Sequence, residues 1–446
     1  MGNAYQLTEG SVSKKLLGFF FPMLLTNLLQ QIYSVADTAI VGKGLGDAAL
    51  AAVGNLSSLN ILIIGFATGM THGFSVIIAR NYGAENSKLL GKSTALSIRL
   101  SVILTVLLTA AACLFLKPIL LAIQTDLMIL RDSLLYGYIV FGCLAVTVAY
   151  NLCSSILRAV GDSRTPFMAI VIASVVNLIL DCLFIFALRM GVEGAAIATV
   201  IAQIVSVGIC LAKMRRHTGV KQPTKEDFER DVPMTLELLK NGIPMALMNC
   251  TIALGNMIVQ GYVNSRGVAY TSAYSVCSKY LGLVILPSST AGYAASSFVS
   301  QNYGAGRLDR IREGVRVCMM IAFVSYVVVG SVMFFFPKQL AGFMLNEEET
   351  IDLAVQHMRI CGALHFFVNF LFVFRNSVQG LGYPMIPMCS GIVEMILRIP
   401  TISMLLPRIG FRAIAYAEIA AWIGSLLLNS ITYVYLIWKK THARSR

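Results

Sequence analysis

Twelve apolar runs, each long enough to cross a lipid bilayer, decide what this chain can fold into. They fall near residues 16–41, 50–78, 93–116, 133–157, 167–188 and 194–212, and then near 242–264, 270–300, 315–336, 353–378, 385–406 and 411–438. A helical span needs roughly 20 apolar residues, and a helix satisfies its own backbone polar groups in hydrocarbon. The alternating segments of about ten residues that build a membrane β-barrel are absent. Of the 446 residues, 57% are hydrophobic and 13% charged. A soluble domain has about 25% charged residues, so a soluble globular enzyme is excluded. The expectation is an all-α integral membrane protein with twelve transmembrane helices in two pseudo-symmetric six-helix lobes.

The formal net charge of +13 reads as topology once its position is considered. With the N-terminus inside, 23 Lys and Arg fall in inner segments and 8 in outer ones. Inner-side enrichment of Lys and Arg sets orientation, so both termini are expected in the cytoplasm. No basic stripe is interleaved with aromatics, and a nucleic-acid partner is not expected. The ten cysteines stand singly inside apolar runs, with no CxxC and no Cys/His cluster, and read as small core hydrophobes. There is no phosphate loop, no HExxH and no usable Ser/His/Asp set, so neither an enzyme nor an ATP-driven pump is expected. No cofactor is implied.

The chain repeats itself. Ala79-Arg80-Asn81-Tyr82-Gly83-Ala84 returns as Ser300-Gln301-Asn302-Tyr303-Gly304-Ala305, and Pro22-Met23 returns as Pro244-Met245. Val176–Asp181 aligns with Val393–Arg398. The expected organisation is an N-lobe at 1–212, a cytoplasmic linker at 213–240 and a C-lobe at 241–446. An even helix number per half gives both copies the same orientation, the plan of an alternating-access transporter.

Charge inside a span marks function by default, because it is costly there. Asp37 lies late in the first span, Asn177 and Asp181 share one face of the fifth, and Thr199 sits early in the sixth. At 1.5 Å per residue these groups reach depths of about 10 to 15 Å from the outer loops. No Lys or Arg lies in those three spans. Two facing carboxyls in low dielectric hold either a proton or a cation between them. Oxygen donors from carboxylate, amide and hydroxyl groups suit a hard ion such as Na⁺. Asp37, Asn177, Asp181 and Thr199 are therefore the expected coupling site, for Na⁺ or H⁺. In the second half Glu394, Arg398 and Glu418 take the equivalent places. Glu394 and Arg398 are spaced to neutralise each other, whereas Glu418 faces either the same Arg or substrate. Lys279 and Arg375 are further bases in this half. Pro22 is a candidate hinge in the first span.

The stretches Val35–Thr38 through Gly46, Ala49–Gly54, Ala79–Gly83, Leu157–Asp162 with Pro166, Asn177–Phe184 and Gly191–Thr199 resemble the multidrug and toxic compound extrusion (MATE) family, nearer its bacterial DinF-like branch. The resemblance covers essentially the whole chain. It implies export of drug-like, often cationic, amphipathic compounds against inward Na⁺ or H⁺ across the bacterial cytoplasmic membrane; a monomer is expected. It also implies a coupling role for Asp37, Asn177, Asp181 and Thr199. Gln30, Asn151 and, more loosely, Tyr136 match polar positions of the cavity. Gln203, Glu394, Arg398 and Glu418 are further candidates to line it. Pro22 matches the proline at which the first helix bends in some members. The acids that another branch carries on spans seven and ten are replaced here by apolar residues near Ile252 and Phe370. A lipid-linked precursor flippase or a dedicated metabolite exporter of the same superfamily is the alternative.

Overall fold

The structure is a computed structural model that describes residues 6–122, 125–216 and 219–442. The remaining positions, which include part of the basic C-terminal tail and of the 213–240 linker, lie outside the described residues. Secondary structure among the described residues is helical throughout. In chain order the first helices are α1 (Val12–Leu45), α2 (Asp47–Asn55), α3 (Ser57–Gly83), α4 (Ser87–Ala122), α5 (Leu127–Gly142), α6 (Leu144–Ala159), α7 (Arg164–Asp181) and α8 (Val192–Arg216). They are followed by α9 (Val232–Asn264), α10 (Val268–Gly304), α11 (Leu308–Ser325), α12 (Ser331–Phe335), α13 (Pro337–Gly342), α14 (Glu348–Leu364), α15 (Phe366–Gly380), α16 (Met385–Ile409) and α17 (Arg412–His442).

Nine helical stretches among the described residues are long and apolar enough to cross a membrane, and two bent pairs raise the number to eleven. The 37-residue α10 falls outside that set by composition, and counted by its length it makes twelve long helical segments among the described residues. On α4, Val102, Val106, Leu107, Leu114 and Phe115 are all more than half exposed. An apolar belt of this kind is stable only against lipid. The chain is a multi-pass membrane protein.

The sequence repeat is also a repeat of backbone detail. The pairs α5–α6 and α14–α15 are each one span broken in the middle, bent by 44° and 51°. Cys143 and His365, at equivalent places in the repeat, mark the breaks. The turn into α2 uses Gly46 at φ 86°, and the turn into α10 uses Gly267 at φ 100°. A left-handed conformation there excludes a Cβ at little cost only for glycine.

The chain divides into two compact units that do not coincide with its halves. One holds Phe21–Gly242, and the other holds Leu7–Phe20 together with the chain from Ile243 onward. Thus α1 changes unit beside Pro22, and α9 changes unit beside Pro244. The segment before each proline packs in the unit opposite to the rest of its helix. In the second unit, Arg310 donates to the carbonyls of Leu7 and Gly10 at 3.0 and 2.8 Å, and the Leu7 N–H donates to Gln301. In the first unit, Lys92 pairs with Asp231 at 2.7 Å and Arg80 with Glu237. Gly73 of α3 lies so close to α9 that a Cβ would stand 2.5 Å from the Asn241 carbonyl oxygen.

Ion pairs therefore seat the polar stretch ahead of α9 on the first unit. A Thr224/Asp227 capping box begins a short 3₁₀ turn there, and Lys221 lies 3.7 Å from Asp227. The Thr224 N–H, ahead of the Lys221 charge, holds the Asp227 carboxyl below its ordinary range. A hydrogen bond from Lys92, then the Met234 N–H, does the same for Asp231. A carboxylate depressed in the folded state stabilises above its unfolded value, about 3.9, and loses that contribution as pH falls through the folded one. Acidification from pH 7 to pH 3 is expected to raise hydrogen exchange in residues 219–240 before the spans open. Unchanged protection of this segment at pH 3 would contradict the assignment.

Candidate functional site

The first unit gathers its polar side chains near one end of α1. Asn177 and Asp181, fully buried, occupy successive turns of α7. With the Asn177 amide oriented to satisfy both neighbours, its nitrogen donates to Asp181 Oδ2 and its oxygen accepts from the Thr199 N–H at 3.2 Å. Thr199 is half-buried on α8. Asp37, half-buried on α1, shares a hydrogen bond with Asp181. A carboxylate only accepts, so two carboxyls in contact need a proton or a cation between them. One oxygen of each, Oδ1, has no hydrogen-bond partner among the described residues. Neither acid enters an ion pair with a described Lys, Arg or His.

The packing that creates this contact is local. Directly after Asp181 the helix widens into a π-helical stretch, Cys182–Ala187, a distortion that recurs at functional sites. Gly44 of α1 lies against it: a Cβ there would stand 2.5 Å from Ile185 Cγ2. The bare glycine lets the end of α1 rest on the π stretch, and Asp37, two turns earlier, then meets Asp181.

Two tyrosines complete the cluster. Tyr33, one turn before Asp37, hydrogen-bonds Thr199 and feels the charge of both acids. Tyr136 on α5 feels both acids as well. Tyr33 is absent from the sequence-based set, although its i,i+4 spacing from Asp37 was available to point to it. Of the other candidates, Gln203 accepts from Thr147 at 2.6 Å. Asn151 is half-buried on α6 and Gln30 is exposed on α1. Pro22 lies inside α1, and the hydroxyl of Thr26 donates to its carbonyl at 2.7 Å.

The second unit is built differently. Glu394 and Arg398 are buried one turn apart on α16, at 3.8 Å. The nearer partner of Glu394 is Arg375 of α15, which also donates to Ser425 at 2.8 Å. Arg398 donates to Asn256 at 2.7 Å. Two guanidiniums thus share one carboxylate. Lys279 is exposed on α10.

Glu418 turns away from this network. Its Oε2 lies 3.7 Å from Cys361 Sγ and 3.6 Å from His357 Nε2. The expectation that no Cys/His cluster exists is therefore corrected. His357 and Cys361 are spaced i,i+4, a signal lost by weighing each cysteine alone, and α17 brings the carboxylate to them.

The family model described as MatE matches residues 22–183 and 244–404, one match beginning at each of Pro22 and Pro244. A curated relative, the probable multidrug resistance protein YpnP of Bacillus subtilis (strain 168), is 27% identical and covers 98% of each chain. A relative named FAD transporter, from Shewanella oneidensis, is 22% identical over 89% of this chain and 88% of its own. Among solved structures, one described as MATE in the bent conformation superposes with a TM-score of 0.93 at 21% identity, covering 99% of each chain.

Removing the carboxylate from the Arg375–Glu394–Arg398 network leaves two buried guanidiniums uncompensated. Breaking a buried pair on one side costs about 3–5 kcal/mol. Glu394→Gln is expected to lose stability of that order and so to lower the thermal unfolding midpoint in detergent. A variant as stable as the parent protein would show that the network is not structural.

Proposed function

The chain belongs to the MatE family of multidrug efflux transporters, and from that premise we propose that it exports small molecules by cation-coupled antiport. It is a transporter embedded in the membrane and not an enzyme. The coupling pair in this reading is Asp37 and Asp181, supported by Asn177, Thr199, Tyr33 and Tyr136. The observation that carries it is the hydrogen bond between two acids on different helices, with no described cationic side chain paired to either. Fully ionised, the pair is a double negative charge in low dielectric. A proton, a Na⁺ ion or a cationic substrate each relieves that charge, and relief by one removes the attraction for another. Competition for one charge is sufficient for exchange.

The route by which occupancy reaches the rest of the molecule is α1. This helix carries Asp37 near one end and changes unit beside Pro22 at the other. A proline removes one backbone hydrogen bond and weakens the helix at that place. Ion binding on Asp37 and Asp181 fixes the end of α1, and its release frees the segment to bend at Pro22. In this reading alternating access follows, with the inner side marked by the Lys- and Arg-rich segments and both termini in the cytoplasm. The protein acts as a monomer in a bacterial cytoplasmic membrane.

A second reading concerns the cargo. Arg375 and Arg398 outnumber Glu394 at a buried place in the second unit, and one relative is named FAD transporter. An excess guanidinium favours an anionic metabolite over a cationic drug. Competition of FAD with ethidium for the purified protein separates the two cargo classes.

The coupling assignment is tested by binding. Ethidium anisotropy is followed on protein in detergent while Na⁺ or pH is varied. The coupling ion is expected to weaken ethidium binding roughly 5- to 150-fold, the usual range of coupling between two ligands. Asp37→Asn and Asp181→Asn should each abolish that response. A parent-like response in both variants would remove the pair from the mechanism.

A further inference from the structure

The three-sided cluster in the second unit has the shape of a metal site. His357 Nε2, Cys361 Sγ and Glu418 Oε2 form a triangle with edges of 3.6, 3.7 and 3.8 Å. A point equidistant from corners at such spacing lies about 2.1 Å from each. That matches the usual Zn–N distance of about 2.0–2.1 Å and a Zn–O bond of about 2.0–2.2 Å, and a small shift toward the N–O edge accommodates Zn–S at about 2.3 Å. We propose that His357, Cys361 and Glu418 bind a zinc-type divalent transition-metal ion between α14 and α17.

The donor chemistry selects this class of ion. Nitrogen, sulfur and oxygen together suit a borderline-soft metal, whereas Na⁺, Ca²⁺ and Mg²⁺ favour oxygen throughout. Charge agrees. A thiolate and a carboxylate cancel the two charges of the ion, and a neutral imidazole adds none, so the loaded site is neutral in a low-dielectric place. The surroundings are dry: His357 and Cys361 are fully buried and Glu418 nearly so. Phe411 and Tyr274 close on the imidazole, with ring centroids at 5.9 and 6.5 Å. Cys277 on α10 stands beside the same imidazole and donates to the Ala354 carbonyl at 3.7 Å. His357 Nδ1 has no hydrogen-bond partner among the described residues. Three protein donors leave the fourth corner of a tetrahedron for a water.

The place has meaning within the repeat. Glu418 occupies the position that Thr199 holds in the first half. The first unit answers its polar cluster with oxygen donors, and the second with nitrogen, sulfur and oxygen. A metal there fastens the broken span α14–α15 to α17 on the side of the break nearer α14. It stands apart from the Asp37–Asp181 pair, so the two assignments succeed or fail separately.

The test uses the purified full-length chain, stripped with chelator, loaded with Zn²⁺ and desalted. One Zn²⁺ per chain is expected, with a raised unfolding midpoint, because a ligand that binds only the folded state stabilises it. Co²⁺ in its place should give a thiolate-to-cobalt charge-transfer band. Cys361→Ser should remove the band, and it and Glu418→Gln should each weaken binding at least about tenfold, by comparison with the 10- to 100-fold effect of losing a mere supporting group. Cys318→Ser, at a buried cysteine elsewhere, should leave binding unchanged. Unfolding of each metal-free variant is recorded alongside, and where a variant does not fold the Co²⁺ spectrum of the parent protein decides. Failure of the parent protein to retain Zn²⁺, a Co²⁺ spectrum without a thiolate band, or equal retention by both ligand variants would overturn the site.

Discussion

In hydrocarbon a charge must be neutralised by what stands next to it, because no water arrives to do so. The three buried acidic sites described above follow from that constraint. The cost of an isolated charge at membrane depth is several kcal/mol on insertion scales. An acid retained there is therefore paired, protonated or bound to a cation. Asp37 and Asp181 have no base as partner among the described residues, and they meet each other. Glu394 has two bases. Glu418 has a histidine and a thiol. The three acidic sites represent three different answers to one electrostatic requirement, within two copies of one six-helix plan.

The difference between the copies has consequences for mechanism. In the Arg375–Glu394–Arg398 network the ion pairs tie α15 to α16 and leave one guanidinium in excess. An acid pair without a base needs an outside counter-charge, and in the proposed mechanism the identity of that charge changes with the ion gradients across the membrane. Gly44 lets one end of α1 lie on the π stretch after Asp181, and the segment of α1 before Phe21 is assigned to the other unit. The same helix thus carries both Asp37 and Pro22, the proposed hinge.

Much of this was legible before any coordinates. Apolar run lengths led to twelve spans, and acids inside those runs led to Asp37, Asp181 and Glu418. Periodicity put Asn177 on the face of Asp181. What escaped depends on contacts between helices. Arg375 and Glu394 sit on successive helices, 19 residues apart, with no period to connect them. His357 and Cys361 are one turn apart, but residue type argued for core packing until Glu418 arrived from α17. The assignment of Leu7–Phe20 to the second unit was invisible as well, because the apolar run is continuous through Pro22 and hydropathy has no sense of which neighbour a helix touches.

The most direct measurement of the central claim is gradient-driven transport by purified protein in liposomes. Ethidium movement is followed under an imposed Na⁺ gradient and, separately, an imposed pH gradient, with Asp37→Asn reconstituted at equal density. The account predicts movement against the ethidium gradient under one of the two, and none in the variant. Uphill movement that persists in Asp37→Asn, or that proceeds with neither gradient imposed, would contradict it.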